Sequence, residues 1–168
     1  SICLIAISGG TTPHLVLKEL KKKYYSDYLD WSRVHLFFTD ERSVSKRHKD
    51  NNYYDCFNRW LKYNERIYSY RIKSWINSKD AIQQYEDQIK SVFKLNGGIS
   101  KFDLIFMGFG EDGHIASLFP CYNFNQNNNR NLDYVYVKSK KTYRYTMTLN
   151  MLNSVNYRII GVIGKRKK

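Results

Sequence analysis

Three apolar runs in this chain each stop at a polar segment rich in glycine or acidic residues. Residues 2–7 (ICLIAI) lead into SGGTTP, residues 34–38 (VHLFF) into TDER, and residues 102–107 (FDLIFM) into GFGEDGH. Continuous rather than alternating apolar runs are expected of strands covered on both faces, as in parallel sheets. Helical patterns separate them. Pro13 suits the first turn of a helix running to about residue 23, with Leu15, Leu17 and Leu20 supplying its buried side. A second helix is predicted from about 52 to 61. A third, from about 79 to 95, carries Tyr85, Gln88, Ile89, Val92 and Phe93 at helical spacing and stops at Gly97 and Gly98. Further strands are predicted at 134–137, 145–149 and 158–163, with a short helix near 150–155. Strands alternating with helices predict an α/β fold, a Rossmann-like, open, mostly parallel sheet with helices on both faces.

The polar segments matter because of where they fall. In open α/β sheets, ligands bind beyond the carboxyl ends of the strands, where all three segments are placed. SGGTTP (Ser8, Gly9, Gly10, Thr11, Thr12, then Pro13) joins a strand to a helix. It reads equally as a loop whose amides and helix N-terminus cradle a phosphate, or as a tight turn capped by Thr12. It carries neither a Walker GK[ST] nor a GxGxxG pattern. TDER offers Asp40 to orient a polar group and Arg42 to clamp a phosphate through its planar fork. Taken alone, it reads more readily as a solvent-exposed charge cluster with an internal ion pair. GEDGH is the sharpest of the three. Histidine titrates near neutral pH and can take or give a proton, and Asp112 stands two residues before His114, able to hold its imidazole. The apolar HIASLF that follows is expected to bury as a helix and fix the loop.

Composition narrows the class. With 168 residues, 42% of them hydrophobic, including 15 Tyr and 9 Phe, the chain is long enough for one domain with a buried core. A net charge of +13 favours anionic partners. The basic residues are scattered or in short clusters such as 21–23 and 165–168, without an aromatic-interleaved stripe, so dedicated nucleic-acid binding is the weaker reading. Cys3, Cys56 and Cys121 lack metal-type spacing and argue for a reducing, cytosolic setting. No apolar run suits a signal peptide or a membrane span. His14, His35 and His48 have no second ligand at metal spacing, and there is no GxSxG. A site using acid–base chemistry and anion binding is therefore expected, with no metal and no cofactor. NFNQNNNRN (123–131) reads as a solvated loop. The chain opens and closes on strand-like runs, which reads as a portion of a larger domain.

In order along the chain, SGGTTP, FFTDERSV followed by NNYY, and FDLIFMGFGEDGHIASLFP resemble the 6-phosphogluconolactonase family. YRYTMTL and GVIGKRK resemble, more weakly, its late arginine strand and its glycine–lysine ending. The related glucosamine-6-phosphate deaminases share SGG and DGHIA but continue FNEP, where this chain has Ser117, Leu118, Phe119 and Pro120, so the lactonase resemblance is the better one. It implies hydrolysis of 6-phosphogluconolactone to 6-phosphogluconate in the pentose phosphate pathway. His114 would be the acid/base toward water, with Asp112 and Asp40 as supporting groups. Ser8 to Thr12, Arg42 and Arg144 would bind the substrate, its phosphate chiefly through the arginines, and Lys167 would match the family's late lysine. The chain departs from the family at Ser45, where a proline is usual, and at Lys141-Thr142-Tyr143, where Pro-Pro usually precedes the arginine. It also lacks the family's N-terminal helical segment and much of its C-terminal portion. In some protozoan parasites the domain is fused to glucose-6-phosphate dehydrogenase, which the Asn-, Lys- and Tyr-heavy composition suits. The alternatives are a glucosamine-6-phosphate deaminase/isomerase-type enzyme and a non-catalytic domain that binds sugar phosphates or nucleic acid.

Overall fold

A computed structural model of the chain describes residues 1–120 and 130–164. Cys121, Lys167 and most of the asparagine-rich 123–131 stretch therefore lie outside the described residues. The elements follow as β1 (Cys3–Ile7), α1 (Thr11–Leu20), α2 (Lys23–Tyr28), β2 (Val34–Phe38), β3 (Asp40–Arg42), α3 (Asn52–Arg59) and β4 (Tyr68–Ser69). Then come α4 (Ser78–Leu95), β5 (Phe102–Gly108), β6 (Leu132–Val137), β7 (Thr142–Met147), α5 (Leu149–Asn153) and β8 (Val155–Gly161).

Five strands form a sheet in the order β4-β2-β1-β5-β8, and each neighbouring pair is parallel. The expected α/β sheet with helices on both faces is observed. Alternate residues face opposite ways. Leu4 and Ala6 of β1, Phe37 of β2, and Ile105 and Met107 of β5 bury against Tyr85, Ile89, Val92 and Phe93 of α4. Ile7 of β1 and Leu36 and Phe38 of β2 turn the other way, onto Leu17 of α1, Cys56 of α3, Trp31 and Trp60. Each fully buried side chain of this size contributes roughly 1.5–3 kcal/mol. Tyr85 adds a directional contact. Its hydroxyl donates to the Phe38 carbonyl at 2.9 Å and accepts from the Phe38 amide at 2.6 Å, docking α4 onto the end of β2.

The sequence patterns predicted strands near 134–137 and 145–149 without showing that they form a sheet of their own. The order is β3-β7-β6, antiparallel throughout. A single residue, Thr39, separates β2 in the large sheet from β3 in the small one. The Thr39 amide still donates to Ile7 of the large sheet, while its carbonyl accepts from Met147 of the small one. The small sheet packs on the α4 face through Leu132, Tyr145 and Met147.

Three sequence expectations are corrected. The first helix ends at Leu20, and of its three leucines Leu17 is buried, Leu20 is partly packed and Leu15 is 47% exposed. TDER is not solvent-exposed, since Thr39, Asp40 and Glu41 are all buried. HIASLF is not helical; Ile115 and Leu118 pair across a tight turn with Ala116 at φ 49°. Ala116 in the left-handed region breaks the helical pattern within the run.

On the α1 face, a groove of about 660 Å³ is lined mainly by apolar side chains, among them Ile5, Val16, Leu17, Leu20, Phe106 and Ile159. The neighbouring strand β8 is largely exposed. Among the described residues, no helix is long and apolar enough to cross a membrane.

Candidate active site

The order of the large sheet reverses at β1, with β2 on one side and β5 on the other, so the loops leaving β1 and β5 diverge and open a crevice. The Ser8 amide donates to the Phe106 carbonyl at 3.0 Å, and the Ser8 hydroxyl accepts from the Gly108 amide at 2.9 Å. Ser8 thus sets the spacing of the two loops at the base of the crevice. A cavity of about 470 Å³ occupies the crevice. Its walls bring together Ser8, Gly9, Gly10, Thr11 and Thr12 from the first loop, Asp40 and Arg42 from β3, Asp112 and His114 from the third loop, and Arg144 from β7. Lys167 lies outside the described residues.

On the first loop, α1 begins after Gly10 without a side-chain cap, so Thr12 does not close the helix as one sequence reading had it. The first amides of a helix have no partner within it, and here Thr11 and Thr12, the first two residues of α1, line the cavity at the positive end of the helix dipole. Gly9 is needed for close approach, because a methyl group there would overlap the Asn52 carboxamide. Asn52, the first residue of α3, is buried, and its amide group donates to the Asp40 carbonyl at 2.9 Å.

On β3, Asp40 and Arg42 lie on one face, with Glu41 turned the other way. The Asp40 carboxylate accepts the Ser117 hydroxyl at 2.8 Å and the Thr39 hydroxyl at 3.3 Å. Glu41 is fully buried and accepts three backbone amides, those of Arg42, Asn52 and Tyr53, at 2.8, 2.7 and 3.0 Å. Two of them belong to the start of α3, so this carboxylate closes the helix N-terminus. Burial nevertheless pushes Glu41 up to about 7, against the pull of the three amides.

Arg42 and Arg144 are register partners across the β3–β7 ladder. An Arg42 Nη1 donates to the Asp50 carbonyl at 2.8 Å, while the Nε of each arginine is buried with no hydrogen-bond partner. Burial, and then the charge of Arg42, lower the Arg144 pKa. Like charges side by side with unpaired buried donors are costly. A dianion between them would relieve both costs.

On the third loop, the His114 ring stacks on Phe119 at 4.2 Å between centroids, and its Nδ1 is hydrogen-bonded to the Asp112 carboxylate. The Gly110 amide donates to the His114 carbonyl at 2.8 Å and closes the loop. Gly110 has no side chain for a spatial reason, since a methyl there would overlap the His114 ring. Burial tends to raise the Asp112 carboxyl, but the hydrogen bond and charge of His114 outweigh it and hold Asp112 below its ordinary value. With Nδ1–H donated to Asp112, Nε2 carries the lone pair of the neutral imidazole.

Sequence reasoning missed several residues. Glu111 and Lys140 also line the cavity, while Asn52, Ser117 and Phe119 support it from behind. Asn52 stood in the NNYY block and Ser117 in the GEDGHIASLFP block, so a signal existed for both. Lys140, in a lysine-rich hairpin turn, had none without the small sheet. Among the described residues, no group of three or more His, Cys, Asp or Glu side chains converges as a metal site.

A crevice at the switch point of a parallel sheet, lined by a hydrogen-bonded histidine–carboxylate pair and by an arginine pair, defines an α/β protein with a polar, cationic cavity at its strand ends. The model of the glucosamine-6-phosphate isomerases/6-phosphogluconolactonase family matches residues 1–168, and the chain belongs to that family. It is similar to 6-phosphogluconolactonase 3, chloroplastic, of Arabidopsis thaliana, at 32% identity over 176 residues, covering 97% of this chain and 53% of the relative. It is also similar to the 6-phosphogluconolactonase of Synechocystis sp., at 36% identity over 121 residues, covering 69% of this chain and 48% of that one. The chain thus spans about half the length of the curated relatives it matches. In fold it resembles the crystal structure of 6-phosphogluconolactonase from Thermotoga maritima, with a TM-score of 0.81 at 23% identity over 99% of this chain and 72% of that one.

Proposed function

We propose that the cavity binds a phosphorylated sugar lactone and hydrolyses it, the substrate being 6-phosphogluconolactone. One observation carries this reading: an arginine pair with unpaired buried donors and a histidine–carboxylate pair line the same cavity. The phosphate sits against Arg42, Arg144 and the open amides at the start of α1, a combination suited to a dianion. That remote anchor holds the lactone carbonyl toward His114. His114 Nε2 takes a proton from water as the water oxygen bonds to the carbonyl carbon. Asp112 holds the ring and stabilises the imidazolium. The tetrahedral intermediate collapses with cleavage of the bond from the carbonyl carbon to the ring oxygen. The imidazolium returns its proton to that oxygen, giving a hydroxyl and a carboxylic acid that ionises.

Support for the substrate comes from the lactonase names of the relatives and from Ser117-Leu118-Phe119 where deaminases carry FNEP. The cysteines support a cytosolic setting, although the plant relatives' names include chloroplastic ones. Glucose-6-phosphate dehydrogenase is the fusion partner that the Asn-, Lys- and Tyr-heavy composition suits. The test is an assay of the purified chain with 6-phosphogluconolactone, subtracting spontaneous hydrolysis, alongside glucosamine-6-phosphate with detection of ammonia. Hydrolysis of the lactone without ammonia release is expected. Ammonia release would favour the deaminase chemistry, and neither activity would leave a binding role.

A further inference from the structure

We propose that Ser117 is a positioning residue, a strut whose hydroxyl ties the His114 loop to the strand row adjoining the arginine pair. The inference rests on the lactonase reading for its kinetic consequence and on geometry alone for its structural one.

Ser117 is 1% exposed and makes two hydrogen bonds to the small sheet. Its hydroxyl donates to Asp40 Oδ2 at 2.8 Å, and its amide donates to Thr146 Oγ1 at 3.3 Å. Asp40 and Thr146 are register partners on β3 and β7. Two residues along each strand, hence on the same face, stand Arg42 and Arg144, themselves register partners. Ser117 is therefore seated one row away from both guanidinium groups. Thr146 is in turn fixed, its hydroxyl donating to the Met147 carbonyl at 3.1 Å.

At its other end, Ser117 belongs to the turn that carries the histidine. The Leu118 amide donates to the Ile115 carbonyl at 2.9 Å, and the Gly110 amide to the His114 carbonyl at 2.8 Å, so residues 110–118 are braced as a unit. The loop leaves the large sheet at β5, whereas the arginines ride on the small one. Ser117 spans the two. Asp40, buried and held by Ser117 and Thr39, serves here as the fixed end of the strut. A hydroxyl donor is required at position 117, because a buried carboxylate that loses its shortest hydrogen bond is costly. The loop would then shift relative to the phosphate anchor, and displacements of about 1 Å can cost on the order of 100-fold in rate.

The test compares the wild-type chain with Ser117→Ala and Ser117→Thr by amide hydrogen exchange, lactone hydrolysis and inhibition by inorganic phosphate. In Ser117→Ala, exchange should quicken at the Gly110 and Leu118 amides but not in β1. Turnover should fall about 10- to 100-fold, while the phosphate inhibition constant stays within about two-fold. Ser117→Thr, which keeps the hydroxyl, should recover most of the turnover. Unchanged loop exchange in Ser117→Ala overturns the strut, as does a threonine variant no better than alanine. If the wild type itself hydrolyses no lactone, the functional reading fails, and the exchange measurement still decides the strut.

Discussion

At the residue scale, the site is defined by which side chains lack partners and which are already committed. Arg42 and Arg144 present buried Nε donors without acceptors, while Ser8 and Asp40 spend their hydrogen bonds on holding loops. The arginines should therefore bind and the others should hold. Replacing either arginine by alanine should raise KM at least about ten-fold, from the ~1.5–3 kcal/mol of a hydrogen bond to a charged group, and change kcat far less. Steady-state kinetics of each variant measures this, and an unchanged KM in both would remove the phosphate role. Most of these residues were legible in the sequence because each stands in a short motif at a strand end. Lys140 was not, since only the fold of the hairpin brings a turn lysine to the cavity.

At the element scale, α3 shows how a motif can be placed correctly and misjudged in surroundings. TDER alone suggested exposed charge; instead Glu41 is buried and accepts the first amides of a helix that begins eleven positions later. No local pattern announces a cap supplied from another strand. Burial raises the folded-state pKa of Glu41 from 4.5 to about 7. The stability that this group contributes is thus present in full below about 4.5 and is lost as pH rises through about 7. Glu41→Gln cannot ionise, so the wild type's melting temperature should fall relative to that of Glu41→Gln as pH rises over this range. Thermal melts from pH 4.5 to 8 provide the comparison, and a constant difference would contradict the sign. HIASLF carries the opposite lesson. Its apolar composition recorded burial correctly, but its shape was set by the Ser117 and Gly110 contacts and by Ala116 at positive φ rather than by helical spacing.

At the scale of the whole molecule, the parallel sheet was legible because each of its central strands is a continuous apolar run. The small sheet was not, because its β3–β7 pairing joins Arg42 to Arg144 across the chain, with no periodicity to signal it. The α1-face groove and the exposed β8 leave apolar surface open in a chain that spans about half of its curated relatives. The isolated 168-residue chain should bind a dye such as ANS in its folded state, with fluorescence quenched by Leu17→Asp or Phe106→Asp if either variant folds. Absence of dye binding by the folded chain would show the groove closed in solution.

The central claim is that His114, held by Asp112, moves the proton in lactone hydrolysis while the arginines hold the phosphate elsewhere in the same cavity. It is tested most directly by the rate of 6-phosphogluconolactone hydrolysis above the spontaneous background, comparing wild type with His114→Ala at saturating substrate. A fall to near background, with inhibition by inorganic phosphate retained in any residual activity and phosphate binding unchanged by calorimetry, is the expected result. Wild-type turnover in His114→Ala would contradict it.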